Sequence, residues 1–299
     1  MLAIVLALAS AIGYGGSDFA AGLASRSAGI IQVNLLASAI STVAVTAALL
    51  LVGAHPPTAA SLAWGAAAGL GGFVGGLALY LGFRQAAFSV AGPLSAVGAA
   101  GFSVLAGLLF GERPTTLALT GIVLALPAIV AVSASAGRAE VAQVDAKEAQ
   151  VDGGEGARGR PAAGVVAGLI AGGGFALLFI GLDRAGSGSG LWPVAAASAT
   201  ELVAALGVAA ATGNVRLPAG RPRWLAMITG AAGALGTILY FLATHEGFLA
   251  VTAVLTSLYP AVTIVLARTV LGERLTGRRL AGLALAAACV ALIAVGGAG

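Results

Sequence analysis

Apolar residues in this chain come in unbroken runs of about twenty, separated by short polar punctuation. Ten such runs lie near 2–23, 30–53, 62–83, 88–110, 116–135, 162–182, 191–212, 224–244, 248–270 and 280–298. A helix needs about twenty residues to cross ~30 Å of hydrocarbon. A transmembrane barrel would instead alternate polar and apolar positions over segments of about ten. Helices also satisfy their own backbone hydrogen bonds in lipid. The pattern therefore predicts an all-α polytopic membrane protein with ten transmembrane helices. The first run has no positive stretch ahead of it and carries Asp18, so it reads as a membrane helix rather than a secretory leader.

One connector is long. Residues 136–161 are polar, mixed in charge and rich in Gly, with too little apolar surface to fold alone, and read as a flexible linker. They divide the chain into 1–135 and 162–299, with five apolar runs in each part.

The two parts share a written mark. "GER" stands at 111–113 and again at 272–274, an offset of 272 − 111 = 161, each time between the fourth and fifth run of its half. The same offset lays Gly13-Tyr14 on Gly174-Phe175, and Gly69, Gly72 and Gly75 on Gly230, Gly233 and Gly236. Five crossings is an odd number, so the second half must enter from the opposite face, giving two inverted five-helix repeats. Many secondary transporters are built this way, with the substrate site near mid-membrane between the halves. The paired "GER" junctions and the "GYGGSDFAAGLASR" of the first run make the chain resemble the drug/metabolite transporter superfamily, EamA type. The resemblance implies a carrier of small metabolites with a cavity lined by helices 1, 3, 4, 6, 8 and 9. It implies no particular substrate.

Charge refines this picture. Only 9% of the residues are charged and 59% are hydrophobic, against about 25% charged in soluble domains. The net charge of +4 does not point to nucleic acid, because the basic residues sit in connectors with no aromatic-interleaved face. Thirteen of the fifteen Lys and Arg fall on one side of the predicted topology, leaving Arg113 and Arg184 on the other. Positive charge stays cytoplasmic, so both termini are expected outside and the linker inside. The resemblance implies the opposite placement of the termini; the short connectors favour the charge count. Arg far outnumbers the lone Lys147, the usage of a GC-rich bacterium, so the expected location is a bacterial plasma (inner) membrane.

Ionisable residues inside a span are costly and point to function by default. Asp18 lies eight residues before Arg26, roughly 12 Å into the first helix, with Tyr14 one turn away on the same face. Glu201 stands alone in the seventh run. Asp18 and Glu201 are the proton-coupling candidates, although helix 7 is peripheral in the fold resembled and Glu201 could equally pack against a neighbour. Arg84 and His245 occupy matching places after the third and eighth runs, as gates or, for Arg84, as an interfacial anchor. Tyr80, Ser95, Tyr240, Thr256 and Tyr259 are cavity-wall candidates by position. Gly69, Gly72 and Gly75 have the small-xxx-small character of close helix packing. Glu112-Arg113 and Glu273-Arg274 read as structural caps, and Pro93 and Pro260 as interruptions of helices 4 and 9.

No phosphate loop, nucleophile elbow or zinc motif is present, and two distant His with one Cys argue against a metal or other cofactor. The expectation is not an enzyme but a secondary transporter of a small organic solute working by alternating access, export favoured, coupled to protons. Uncoupled facilitation is the alternative, with a non-transporting membrane scaffold or enzyme a third. Its partners would be the solute, protons and the lipid bilayer, in a monomer or homodimer.

Overall fold

A computed structural model describes residues 1–25, 27–52, 56–85, 88–131, 161–271 and 277–296, without the side chains of 80–85, 88–93, 161–164 and 278–279. Arg26, Glu273, Arg274 and linker residues 136–160 lie outside the described residues.

The apolar runs become helices almost residue for residue, and no strand occurs among the described residues. The first half holds α1 (Leu2–Ser25), α2 (Ile30–Val52), α3 (Ala59–Gln85), α4 (Phe88–Leu109) and α5 (Thr116–Ala131). The second holds α6 (Pro161–Arg184), α7 (Trp192–Ala211), α8 (Arg221–Thr244), α9 (Leu249–Thr256), α10 (Tyr259–Leu271) and α11 (Gly277–Gly296). Among the described residues seven stretches are long and apolar enough to cross a membrane: within α1, α2, α3, α6, α7, α8 and the α9–α10 pair taken together. Shorter apolar stretches are Leu94–Leu109, Thr116–Ala131 and Leu280–Gly296.

The ninth run is two helices rather than one. Pro260 is the second residue of α10, where its missing N–H removes no intrahelical bond. Pro93 behaves otherwise: it lies inside α4 without ending it, which corrects the expectation that both prolines interrupt their helices.

The exterior is apolar, with Leu51 and Leu109 87% and 85% exposed, as suits a surface solvated by lipid. The interior is built mostly from Ala, Gly and small hydroxyl residues. Lipid tails are as apolar as Leu, so helices in a membrane associate through close approach and interhelical hydrogen bonds rather than a hydrophobic drive. The tightest crossings join the halves. A Cβ on Gly13 of α1 would lie 2.8 Å from the Gly236 Cα of α8. A Cβ on Gly174 of α6 would lie 2.6 Å from the Gly75 nitrogen of α3. These two crossings differ by the sequence offset, since 174 − 13 and 236 − 75 are both 161. Tyr14 lies against Gly236 just as Phe175 lies against Gly75. The larger contacts exchange in the same way: α4 packs on α6 while α9 and α10 pack on α1, and α3 packs on α7 while α2 packs on α8.

Candidate functional site

Small residues at these crossings leave space between six helices. A cavity of about 160 Å³, counted over positions open to a water centre, is lined from α1, α2, α3, α6, α7 and α8. Of the helices that the resemblance implies, α1, α3, α6 and α8 line this cavity among the described residues, and α2 and α7 line it as well. The lining lies at mid-helix on α1, α2, α3 and α8, in the second half of α6 and in the first half of α7.

Two carboxylates enter this space, one from each half. Asp18 of α1 is exposed to it and Glu201 of α7 is half-buried at its wall. Glu201 is therefore not peripheral. Tyr14 joins them, its hydroxyl 3.0 Å from Thr237 Oγ1. Thr237 donates its single hydroxyl proton to the Gly233 carbonyl at 3.0 Å, so Tyr14 is the donor in that pair. Ser17 Oγ donates to the Thr229 carbonyl at 2.9 Å, tying α1 to α8 beside Asp18. Ser38 differs from its neighbours: it is 2% exposed, lines the cavity, and its Oγ has no hydrogen-bond partner. No Lys, Arg or His lines it among the described residues.

The glycines of α3 divide their work. Gly69 lies against the Ala197 carbonyl and Gly75 against Phe175, and both are packing positions. A Cβ on Gly72 would meet only Leu178, at 3.6 Å, and Gly69 and Gly72 both border the cavity.

Several positional candidates lie elsewhere. Tyr240 is fully buried in the core, stacked on Phe179 with ring centroids 4.4 Å apart, and is not among the lining residues. Ser95 and Thr256 are also fully buried, with Thr256 Oγ1 3.4 Å from the Ala7 carbonyl. Tyr259 is half-buried, its carbonyl close to Gly15. His245 follows the end of α8; its Nδ1 lies 2.6 Å from the Phe241 carbonyl and so carries the proton donated there. Tyr80 and Arg84 belong to α3, but their side chains lie outside the described residues.

The first "GER" has a specific geometry. Gly111 has φ +92°, the Glu112 N–H reaches the Gly107 carbonyl at 2.9 Å, and the Gly111 N–H reaches Leu108 at 3.1 Å. This is a Schellman end for α4, which favours Gly at the left-handed position. Glu112 then caps a different helix. Its carboxylate accepts the backbone N–H of Leu249 and that of Ala250 (2.9 Å) at the start of α9. Its negative charge meets the positive end of the α9 dipole. The structural role expected for Glu112 is thus a cross-half cap, while Arg113 is exposed.

That end of the bundle is tied in other places. Ser61 Oγ donates to Ser189 Oγ at 2.9 Å, which accepts the Thr58 N–H at 3.2 Å. Thr115 Oγ1 donates to the Gly296 carbonyl at 2.8 Å, and the Arg184 guanidinium sits 4.7 Å above the Phe110 ring.

No protein-family model and no curated protein matches the chain. Among solved structures, one described only as "Crystal structure of protein" is similar, with a TM-score of 0.73 at 16% identity over 96% of this chain and 98% of that one. The likeness extends to the fold.

Proposed function

We propose that the chain is a secondary transporter of the EamA-type drug/metabolite group, moving a small organic solute through a ten-crossing bundle of two inverted repeats. One observation carries the reading: a cavity at mid-helix depth between the halves holds a carboxylate from each, and one end of the bundle is tied by hydrogen bonds between the halves. Such a site, flanked by repeats that exchange packing partners, supports alternating access. The end opposite the tied one bears most of the basic connectors, and the charge rule assigns it to the cytoplasm. Asp18 and Glu201 are the groups that would carry protons in exchange for solute, with export as the direction in a cell whose exterior is more acidic.

The test is solute uptake into proteoliposomes under an imposed pH gradient. In proton antiport an acidic lumen drives solute inward as protons leave, so acid-loaded vesicles should concentrate it and a protonophore should abolish accumulation. Asp18→Asn should keep normal assembly and lose gradient-driven accumulation by about a hundredfold, the coupling free energy of a typical linked site. Equal accumulation with and without the gradient would reject proton coupling.

A further inference from the structure

We infer that the solute is a small organic cation carrying protonated amines, an inference that rests on the cavity being the transport site. The lining holds two carboxylates and no basic side chain among the described residues. An anion would meet uncompensated negative charge, and a neutral sugar would leave both carboxylates without a counter-charge. In a site withdrawn from bulk water each of those outcomes is expensive.

A second feature points to a ligand independently of charge. The Ser38 hydroxyl is 2% exposed, borders the cavity and has no partner. Leaving a buried hydroxyl unsatisfied costs about 1–3 kcal/mol, so an occupant that bonds to it is favoured over an empty site. An amine N–H can donate to the Ser38 Oγ. Phe73 and Phe175 belong to the same lining, and aromatic rings attract cations that meet their faces.

Size and placement narrow the class. The volume of about 160 Å³ is close to that of an engineered apolar cavity that accepts benzene, so the occupant has roughly four to eight heavy atoms. Asp18 and Glu201 both line the cavity and come from opposite halves, so a solute with two protonated amines would have a carboxylate for each.

The probe is 1,4-diaminobutane, set against 1,4-butanediol as the neutral isostere and succinate as the dianion of equal length. Calorimetry on the purified chain in micelles should give a diamine affinity at least about tenfold above either control, a difference of ~1.4 kcal/mol. Asp18→Asn and Glu201→Gln should each weaken the diamine by about tenfold or more, and Ser38→Ala by about threefold to tenfold. Thermal unfolding without ligand checks that each variant is folded, and the comparison of the three isosteres on the unaltered chain needs no variant. Binding of diol or succinate as tight as the diamine overturns the inference, as does diamine binding that survives loss of both carboxylates. Transport is read separately by counterflow of labelled diamine in proteoliposomes. Diamine that binds without counterflow rejects the transporter reading and keeps the cation site. Counterflow of succinate or diol in place of diamine rejects the cation site and keeps the transporter.

Discussion

Gly13 and Gly16 sit one turn apart on α1 and meet opposite surroundings. A Cβ at Gly13 would press on the Gly236 backbone at 2.8 Å, whereas one at Gly16 would meet nothing within 4 Å. Gly13→Ala should therefore destabilise the bundle by about 1–3 kcal/mol through overpacking against backbone that cannot rotate away. Gly174→Ala, its counterpart at the α3 crossing, should cost a similar amount. Gly16→Ala should be neutral within about 0.5 kcal/mol or mildly stabilising. Thermal unfolding in one detergent measures all three. The pairing behind this was half visible in the sequence: the 161 offset registered Gly13 with Gly174 and Gly75 with Gly236. It said nothing of which glycine touches which, because backbone proximity is decided by crossing geometry rather than by spacing along one chain. The same limit hid Ser17, Asn34, Ser38, Ser41, Thr229 and Thr237, cavity residues that the sequence pattern did not single out. Small hydroxyls are frequent in membrane helices, and only tertiary packing decides which of them face a void. Asp18 and Glu201 stood out because a carboxylate within a span has no inexpensive alternative.

At the scale of elements, continuous apolar runs were a faithful guide to helices, with ends displaced by a few residues. The exception is the break between α9 and α10, where Pro260 starts a helix that the run length had merged with its predecessor. Helix ends are also where the "GER" mark acquires its meaning. Gly111 terminates α4 and positions Glu112 to begin α9, a connection across 137 residues to Leu249 that no local motif encodes. Glu112→Ala should release two backbone donors and lower stability by about 1–3 kcal/mol. Glu112→Gln, which keeps one acceptor oxygen, should fall between that variant and the parent. Arg113→Ala, altering an exposed side chain of the same triplet, should change stability by less than about 0.5 kcal/mol. If the two alanine variants unfold at the same temperature, the cap carries no weight in the native state.

At the scale of the molecule, the ties between halves at the Glu112 end are the contacts that the proposed alternating access would have to break. Ser61 and Ser189 lie on opposite halves with their hydroxyls 2.9 Å apart, close enough for a Cys pair to bridge. The native Cys289 is buried and leaves such a pair without competition. In the variant carrying Ser61→Cys and Ser189→Cys, oxidant should stop solute counterflow and reductant should restore it. Undiminished counterflow in the oxidised protein would mean that this end never opens. The same interleaving has a cost in time during synthesis. Ser10 of α1 donates to the Gly236 carbonyl of α8, a partner 226 residues downstream. At about 5–20 residues per second of translation, that carbonyl is made roughly ten to forty seconds after the serine. Through that interval α1 holds a glycine face shaped for a helix that does not yet exist, while Gly75 of α3 waits only 174 − 75 = 99 residues for Gly174. The lifetime of that unpartnered state is set by the ribosome rather than by the protein's own folding rate.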